Sequence, residues 1–169
     1  MAEPELNSTS AALLGLLHEG PMTGGDLVAA AEARLSAFWS VTRSQVYREL
    51  PTMAERGLLR LGKAGARASQ PYAITAAGKK AFTRWLSQPP GRDHQRSQLL
   101  LRTSFGSFQT ARQRRLLFAT ERERHEEQLT RLRQQSRLET ADPYAKATIA
   151  FAITYERALL KWLDALAPA

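Results

Sequence analysis

Arg43, Ser44, Gln45, Tyr47 and Arg48 bring five directed hydrogen-bonding side chains into six consecutive positions. Arginine and glutamine match the donor and acceptor pattern of base edges, while serine, tyrosine and arginine can donate to phosphate oxygens. Thr42 precedes them as a helix N-cap, and Val46, Leu50, Met53 and Ala54 follow at three- and four-residue steps. The spacing predicts a helix that buries one face and leaves the polar set open, with the unpaired N–H groups of its first turn favouring anions. An ordinary basic surface helix would share these features, so the neighbouring segments must decide between the two.

Other chemistries lack their residues. The three histidines, His18, His94 and His125, fall on separate predicted elements without HExxH spacing, and no Ser/His/Asp order with a nucleophile elbow occurs. His125 has Glu121 one turn before it, a pairing that reads as a surface contact rather than a catalytic dyad. Gly24-Gly25 belongs to neither GxGxxG nor GxxxxGK[ST], and no strand precedes it. The chain has no cysteine, which removes disulfides and thiolate metal sites. No catalytic residue, metal ligand or cofactor is expected, and the chain does not read as an enzyme.

Several elements must position the basic helix. Ser8 to His18 predicts an apolar helix capped by Ser8 or Ser10, with Leu13, Leu14, Leu16 and Leu17 buried and Gly20-Pro21 as its stop. Thr23 caps a second helix whose Leu27, Val28, Ala31 and Leu35 face inward and whose first turn carries Asp26. Phe38 and Trp39 then read as aromatic core wedges between this helix and the next. Gly57 ends the basic helix, Leu58–Leu61 and Pro71–Ile74 read as two short strands, and residues 62–70 form a loop with two cations and no acid. Thr75 caps a further helix with Ala77, Ala81, Phe82, Trp85 and Leu86 on its apolar face. Helix, helix, hairpin, helix, counted from the helix that Thr23 caps, is the order of a winged helix-turn-helix.

Pro89-Pro90-Gly91 cannot continue a helix, so residues 88–96 read as a linker between a winged domain over residues 1–87 and a helical domain over residues 97–169. Ser97 caps a helix through Phe108 with Leu101, Phe105 and Phe108 on one face. A long polar helix runs from Thr110 to about Leu138, with Phe118, His125 and Leu132 at seven-residue steps and the pairs Glu127–Arg131 and Arg122–Glu126 on its exposed face. Asp142 caps the last helix and Pro143 opens it. Its apolar belt (Ile149, Phe151, Ala152, Ile153, Tyr155, Leu159, Leu160, Trp162, Leu163, Leu166) is wider than one antiparallel neighbour covers. A second subunit is the natural partner, and packing on residues 8–18 of the same chain is the alternative; different faces can serve both. The overall expectation is a mostly α (α+β) protein with an N-terminal winged domain and an antiparallel helical dimerisation domain.

The formal net charge is +8. Between Arg34 and Arg84 ten lysines and arginines stand against two acids, so that segment alone carries an excess of eight. Such localisation suits a module that neutralises phosphates and releases counterions. The first ten residues are acidic and lack a basic start with an apolar run, and no stretch approaches a membrane span. A soluble, cytoplasmic protein with no membrane partner is expected.

Three stretches, FWSVTRSQVYREL followed by ERGLL, the hairpin ending in YAITAAGKKAF, and LLLRTSFG at the start of the helical region, resemble the PadR family of transcriptional regulators. The resemblance runs from Leu13 to Leu163, and its most specific parts are Phe38-Trp39 with Tyr47 eight residues on and the Tyr72-Ile74-Thr75-Gly78 pattern. It implies a homodimer clasped by C-terminal helices, two winged domains reading a roughly two-fold, palindromic operator in double-stranded DNA, and, usually, repression relieved by a small-molecule effector. Carried onto this chain, it places Thr42, Arg43, Ser44, Gln45, Tyr47 and Arg48 on the recognition helix, with the Tyr47 hydroxyl on a phosphate and its ring packed on the domain. Lys63, Arg67 and Gln70 fall on the wing. Leu101, Phe105, Phe151, Tyr155, Leu159, Trp162 and Leu163 are the expected dimer contacts. Effector-pocket residues do not transfer, and Trp162 reads as core packing before ligand stacking. The alternative function is a protein-interaction adaptor that keeps the winged domain and long helices without specific DNA binding.

Overall fold

A computed structural model describes residues 6–63, 70–91, 96–139 and 142–166. The chain divides into two compact units, Met1–Gly91 and Arg92–Ala169.

In the first unit, α1 (Ser8–Leu16), α2 (Gly24–Leu35) and α3 (Arg43–Glu55) precede β1 (Leu59–Leu61), β2 (Tyr72–Ile74) and α4 (Ala76–Leu86). Leu13, Leu14, Leu17, Leu27, Val46, Leu50 and Met53 are almost wholly buried where α1, α2 and α3 meet. Each such side chain contributes about 1.5–3 kcal/mol relative to exposure. Asn7, not Ser8 or Ser10, caps α1: its side chain accepts from the Ser10 N–H at 2.8 Å. Ser10 is thereby free to turn its hydroxyl inward. The helix also stops earlier than His18. Leu17–Glu19 tighten into a 3₁₀ turn and Gly20 adopts φ 141°, which keeps Leu17 in the core while the chain reverses.

The hairpin pairs Leu59 with Ile74, Arg60 with Ala73 and Leu61 with Tyr72 in antiparallel register. Pro71 lacks an N–H and falls outside β2, but its carbonyl still accepts from Gly62 at 2.8 Å. Met22 adds a further bridge to Tyr72, with hydrogen bonds of 2.8 and 3.0 Å, so the segment before α2 extends the sheet. Ala81, Phe82 and Trp85 of α4 pack on the core, whereas Ala77 and Leu86, expected on the same face, are exposed. Phe38 and Trp39 are not core wedges either. They are 51% and 39% exposed, because α2 and α3 already close on each other through Leu27, Ala31, Val46 and Leu50.

In the second unit, α5 (Gln98–Ser104), α6 (Ala111–Leu138) and α7 (Pro143–Leu166) follow in order, and α6 and α7 form an antiparallel hairpin. The single helix expected to reach Phe108 breaks at Phe105 and resumes as a 3₁₀ turn over Gly106–Phe108. Arg114 donates to the carbonyls of Gly106 and Gln109, which fixes that bend. Leu99 is the buried residue of α5, while Leu101, Phe105 and Phe108 are exposed. Thr110 and Gln113 form a capping box at α6, and the Asp142 carboxylate accepts from the Tyr144 N–H at 2.8 Å with Pro143 as first residue of α7. The Glu127–Arg131 and Arg122–Glu126 pairs form as expected.

Candidate nucleic-acid interface

The open face of α3 is built by its cap. The Thr42 hydroxyl accepts from the Gln45 N–H at 3.3 Å, and the Gln45 side-chain oxygen accepts from the Thr42 N–H and hydroxyl at 2.8 and 3.0 Å. This reciprocal box sets where the helix starts, and it engages both Thr42 and Gln45. Val46, Leu50 and Met53 then point into the core, which leaves Arg43, Ser44, Tyr47 and Arg48 outward. Thr42 and Ser44 are exposed with their hydroxyls 3.1 Å apart. At the far end, Gly57 with φ 70° and the bonds from the Leu58 N–H to Met53 and the Gly57 N–H to Ala54 close a Schellman motif. Pro51 lies inside α3 on its exposed side and withholds the N–H that the Tyr47 carbonyl would otherwise receive, a feature absent from the sequence reading.

Two contacts orient this face. The Arg43 guanidinium carbon stands 5.3 Å from the centre of the Tyr47 ring, one helical turn away. The hydroxyl end of that ring lies against Gly24 at the start of α2, where a β-carbon would meet Cε1 and Cζ at 3.0 Å. On the opposite side, one Glu49 carboxylate oxygen accepts from Asn7 Nδ2 at 3.0 Å and from the Ser10 hydroxyl at 2.8 Å, tying α3 to the start of α1. The Asn7 hydrogen bond, helped by Ser10 and by Arg48 at 3.6 Å, holds the Glu49 carboxyl below the usual glutamate range against the opposing effect of burial.

On the wing, Lys63 after β1 and Gln70 before β2 are exposed. Arg67 lies outside the described residues. Arg60, within the strand expected over residues 58–61, is exposed on β1 between buried Leu59 and half-exposed Leu61. Its signal was the two-residue alternation of a strand. Among the described residues, no group of histidines, cysteines and carboxylates is arranged to hold a metal ion.

The second unit corrects two expectations. His125 does not sit on the surface with Glu121. It is buried, its Nδ1 2.5 Å from Oε2 of equally buried Glu156 on α7, while Glu121 is 3.7 Å from Nε2. Leu163, expected at a dimer contact, is 1% exposed within its own chain. Leu101, Phe105, Phe151 and Tyr155 are open to solvent, and Leu159 and Trp162 are half-buried.

Residues 13–84 match the model of the transcriptional regulator PadR-like family, and residues 95–169 match that of the virulence activator alpha C-terminal region. Residues 13–84 therefore form a domain of the PadR-like family of transcriptional regulators. It is 24% identical over 169 residues to the negative transcriptional regulator PadR of Bacillus subtilis (strain 168), covering 92% of this chain and 93% of that protein. Among solved structures, the PadR-like regulator BC1756 of Bacillus cereus superposes with a TM-score of 0.84 at 20% identity, covering 97% and 96% of the two chains. The B. subtilis PadR in complex with operator DNA gives 0.77 at 23% identity over 93% and 94%, and the same protein with p-coumaric acid gives 0.75 at 23% over 95% and 96%. These structural likenesses establish a shared winged-helix and helical-hairpin fold. The family is one of regulators, not enzymes. Among the described residues, no helix is long and apolar enough to cross a membrane.

Proposed function

We propose that this PadR-like chain is a homodimeric, sequence-specific DNA-binding repressor that acts in the cytoplasm, reads a palindromic operator, and is released by a small-molecule effector. The observation that carries the reading is the capped α3 with Arg43, Ser44, Tyr47 and Arg48 on its open face. Residues 1–87 serve DNA binding, residues 88–96 connect, and residues 97–169 dimerise. The α3 face enters the major groove, with equivalent helices of a dimer about 34–36 Å apart. Arg43 reads base edges, worth roughly 1–3 kcal/mol of discrimination, while Thr42, Ser44, Tyr47, Arg48, Arg60, Lys63, Arg67 and Gln70 supply backbone contacts. Gln45 holds the helix start through its carbonyl oxygen and keeps only its amide N–H₂ for DNA. The relatives solved with operator DNA and with p-coumaric acid support the DNA and effector parts of the reading.

The test is fluorescence anisotropy with DNA from upstream of the protein's own gene against a scrambled duplex, between about 50 and 200 mM salt. Tight binding to the upstream DNA is expected, with Lys63→Ala weakening both duplexes and lowering the salt slope by about one. Equal, weak binding to every duplex would replace this reading with that of an interaction adaptor.

A further inference from the structure

We propose that Tyr47 is a positioning residue for Arg43: its ring, seated in the space left by Gly24, holds the guanidinium in the orientation that discriminates bases. The inference rests on the DNA-binding reading and assigns its specificity to a three-residue stack across α2 and α3. Arg43 stands at the first position of α3, exposed, on a flexible stem that by itself would leave the guanidinium free to rotate. The Tyr47 ring lies one turn on with Arg43 at 5.3 Å, a distance at which cation and ring attract. Attraction to the ring face does not use up the guanidinium N–H groups, which can still pair with a guanine edge.

The ring is itself held. Tyr47 is 48% exposed, so burial alone does not fix it, but its hydroxyl end rests on the backbone of Gly24. Gly24 has no positive φ to require glycine, and alanine is the better helix former there. What the missing β-carbon provides is room for the ring, since a methyl group would stand 3.0 Å from Cε1 and Cζ. The neighbouring polar residue with groove-matching chemistry, Gln45, has its side-chain oxygen committed to Thr42, which leaves Arg43 as the reader.

The experiment is selection of duplexes from a random library by the wild-type full-length protein, followed by affinities of variants for the selected duplex and for a scrambled one. Arg43→Ala and Tyr47→Leu should each lower the selected-to-scrambled ratio roughly tenfold, and the double variant should be no worse than either. Tyr47→Phe should keep the ratio while weakening both duplexes a few-fold through the lost hydroxyl. Gly24→Ala should lower the ratio while its urea midpoint stays at or above that of the wild type, which separates displacement of the ring from loss of fold. If Tyr47→Leu or Gly24→Ala keeps full discrimination, or if the Arg43 and Tyr47 effects multiply, the stack does not set specificity even though the DNA reading stands. If the wild type enriches no sequence, the DNA reading itself falls and takes this inference with it.

Discussion

Thr75 and Gly78 show how a short sequence pattern becomes a physical joint. The Thr75 hydroxyl donates to the carbonyls of Gly57 at 2.7 Å and Leu58 at 3.1 Å and accepts from the Gly78 N–H at 3.0 Å, so one side chain caps α4 and fastens it to the end of α3. A β-carbon on Gly78 would lie 2.2 Å from the Leu58 oxygen, a backbone atom that cannot step aside without giving up its bond from the Thr75 N–H. Alanine gains about 1 kcal/mol of helix propensity at such a site, which is outweighed by overpacking against backbone. Gly78→Ala is expected to destabilise the chain by about 2 kcal/mol or more, read as a urea midpoint lowered by roughly 1 M. Glu49 gives a second residue-scale expectation. Its folded carboxyl is held below the ordinary range, so the stabilisation it confers is complete above the unfolded value of about 4.3 and is lost as pH falls through the lower folded value. Urea titrations of wild type and Glu49→Gln from neutral to acid pH should show the largest gap at neutral pH and convergence on the acid side. A gap independent of pH would mean that the Asn7 and Ser10 bonds do not depend on the charge.

At the level of elements, what is legible in the sequence is what depends on residues within about one turn of each other. The Thr42 cap, the Val46/Leu50/Met53 face, the Gly57 stop and the Asp142-Pro143 start are all local, and each stands in the structure. The open face of α3 follows directly from them. The relations that escape the sequence span long separations: Met22 pairing with Tyr72, Asn7 and Ser10 reaching Glu49, and His125 meeting Glu156 thirty-one residues on. Glu156 hides within an apolar belt because a lone carboxylate in such a stripe reads as exposed until its partner is known. The Arg124 guanidinium lies 2.9 Å from His125 Nε2 and can only donate, so Nε2 accepts and Nδ1–H donates to Glu156. Removing one member leaves a buried polar atom of the other, His125 Nδ1 or Glu156 Oε2, without this partner, and Glu156→Ala or His125→Ala should each cost about 3 kcal/mol in urea unfolding. Replacing both with leucine should recover most of that loss. A pair of single variants that cost little would mean the α6–α7 joint does not use this bond.

For the whole molecule, the distribution of exposed apolar side chains bears on assembly. Among the described residues, the second unit carries nine of the fourteen large hydrophobic residues left exposed, which a monomer of this size has little reason to keep in solvent. On α7 they recur along one side: Tyr144, Phe151, Tyr155 and half-buried Trp162 follow steps of seven, four and seven, while Ile149, Ala152, Glu156 and Leu163 are buried. A second copy presenting the same stripe would satisfy both chains, as a two-fold interface requires. Phe151, 67% exposed, is the discriminating position because most of it faces solvent within its own chain. Phe151→Glu should therefore keep its helical circular dichroism yet sediment near the 18.8 kDa of one chain where the wild type sediments near twice that mass. Separating the two winged domains also removes their joint hold on a two-fold site, so affinity for that DNA should fall by about a hundredfold or more while single-domain contacts remain. Leu163→Glu should instead unfold the second unit, since that side chain has no exposed surface to vacate. Dimeric Phe151→Glu with undiminished DNA affinity would place the interface elsewhere, and the exposed Leu101 and Phe105 of the α5 region would be the next surface to substitute.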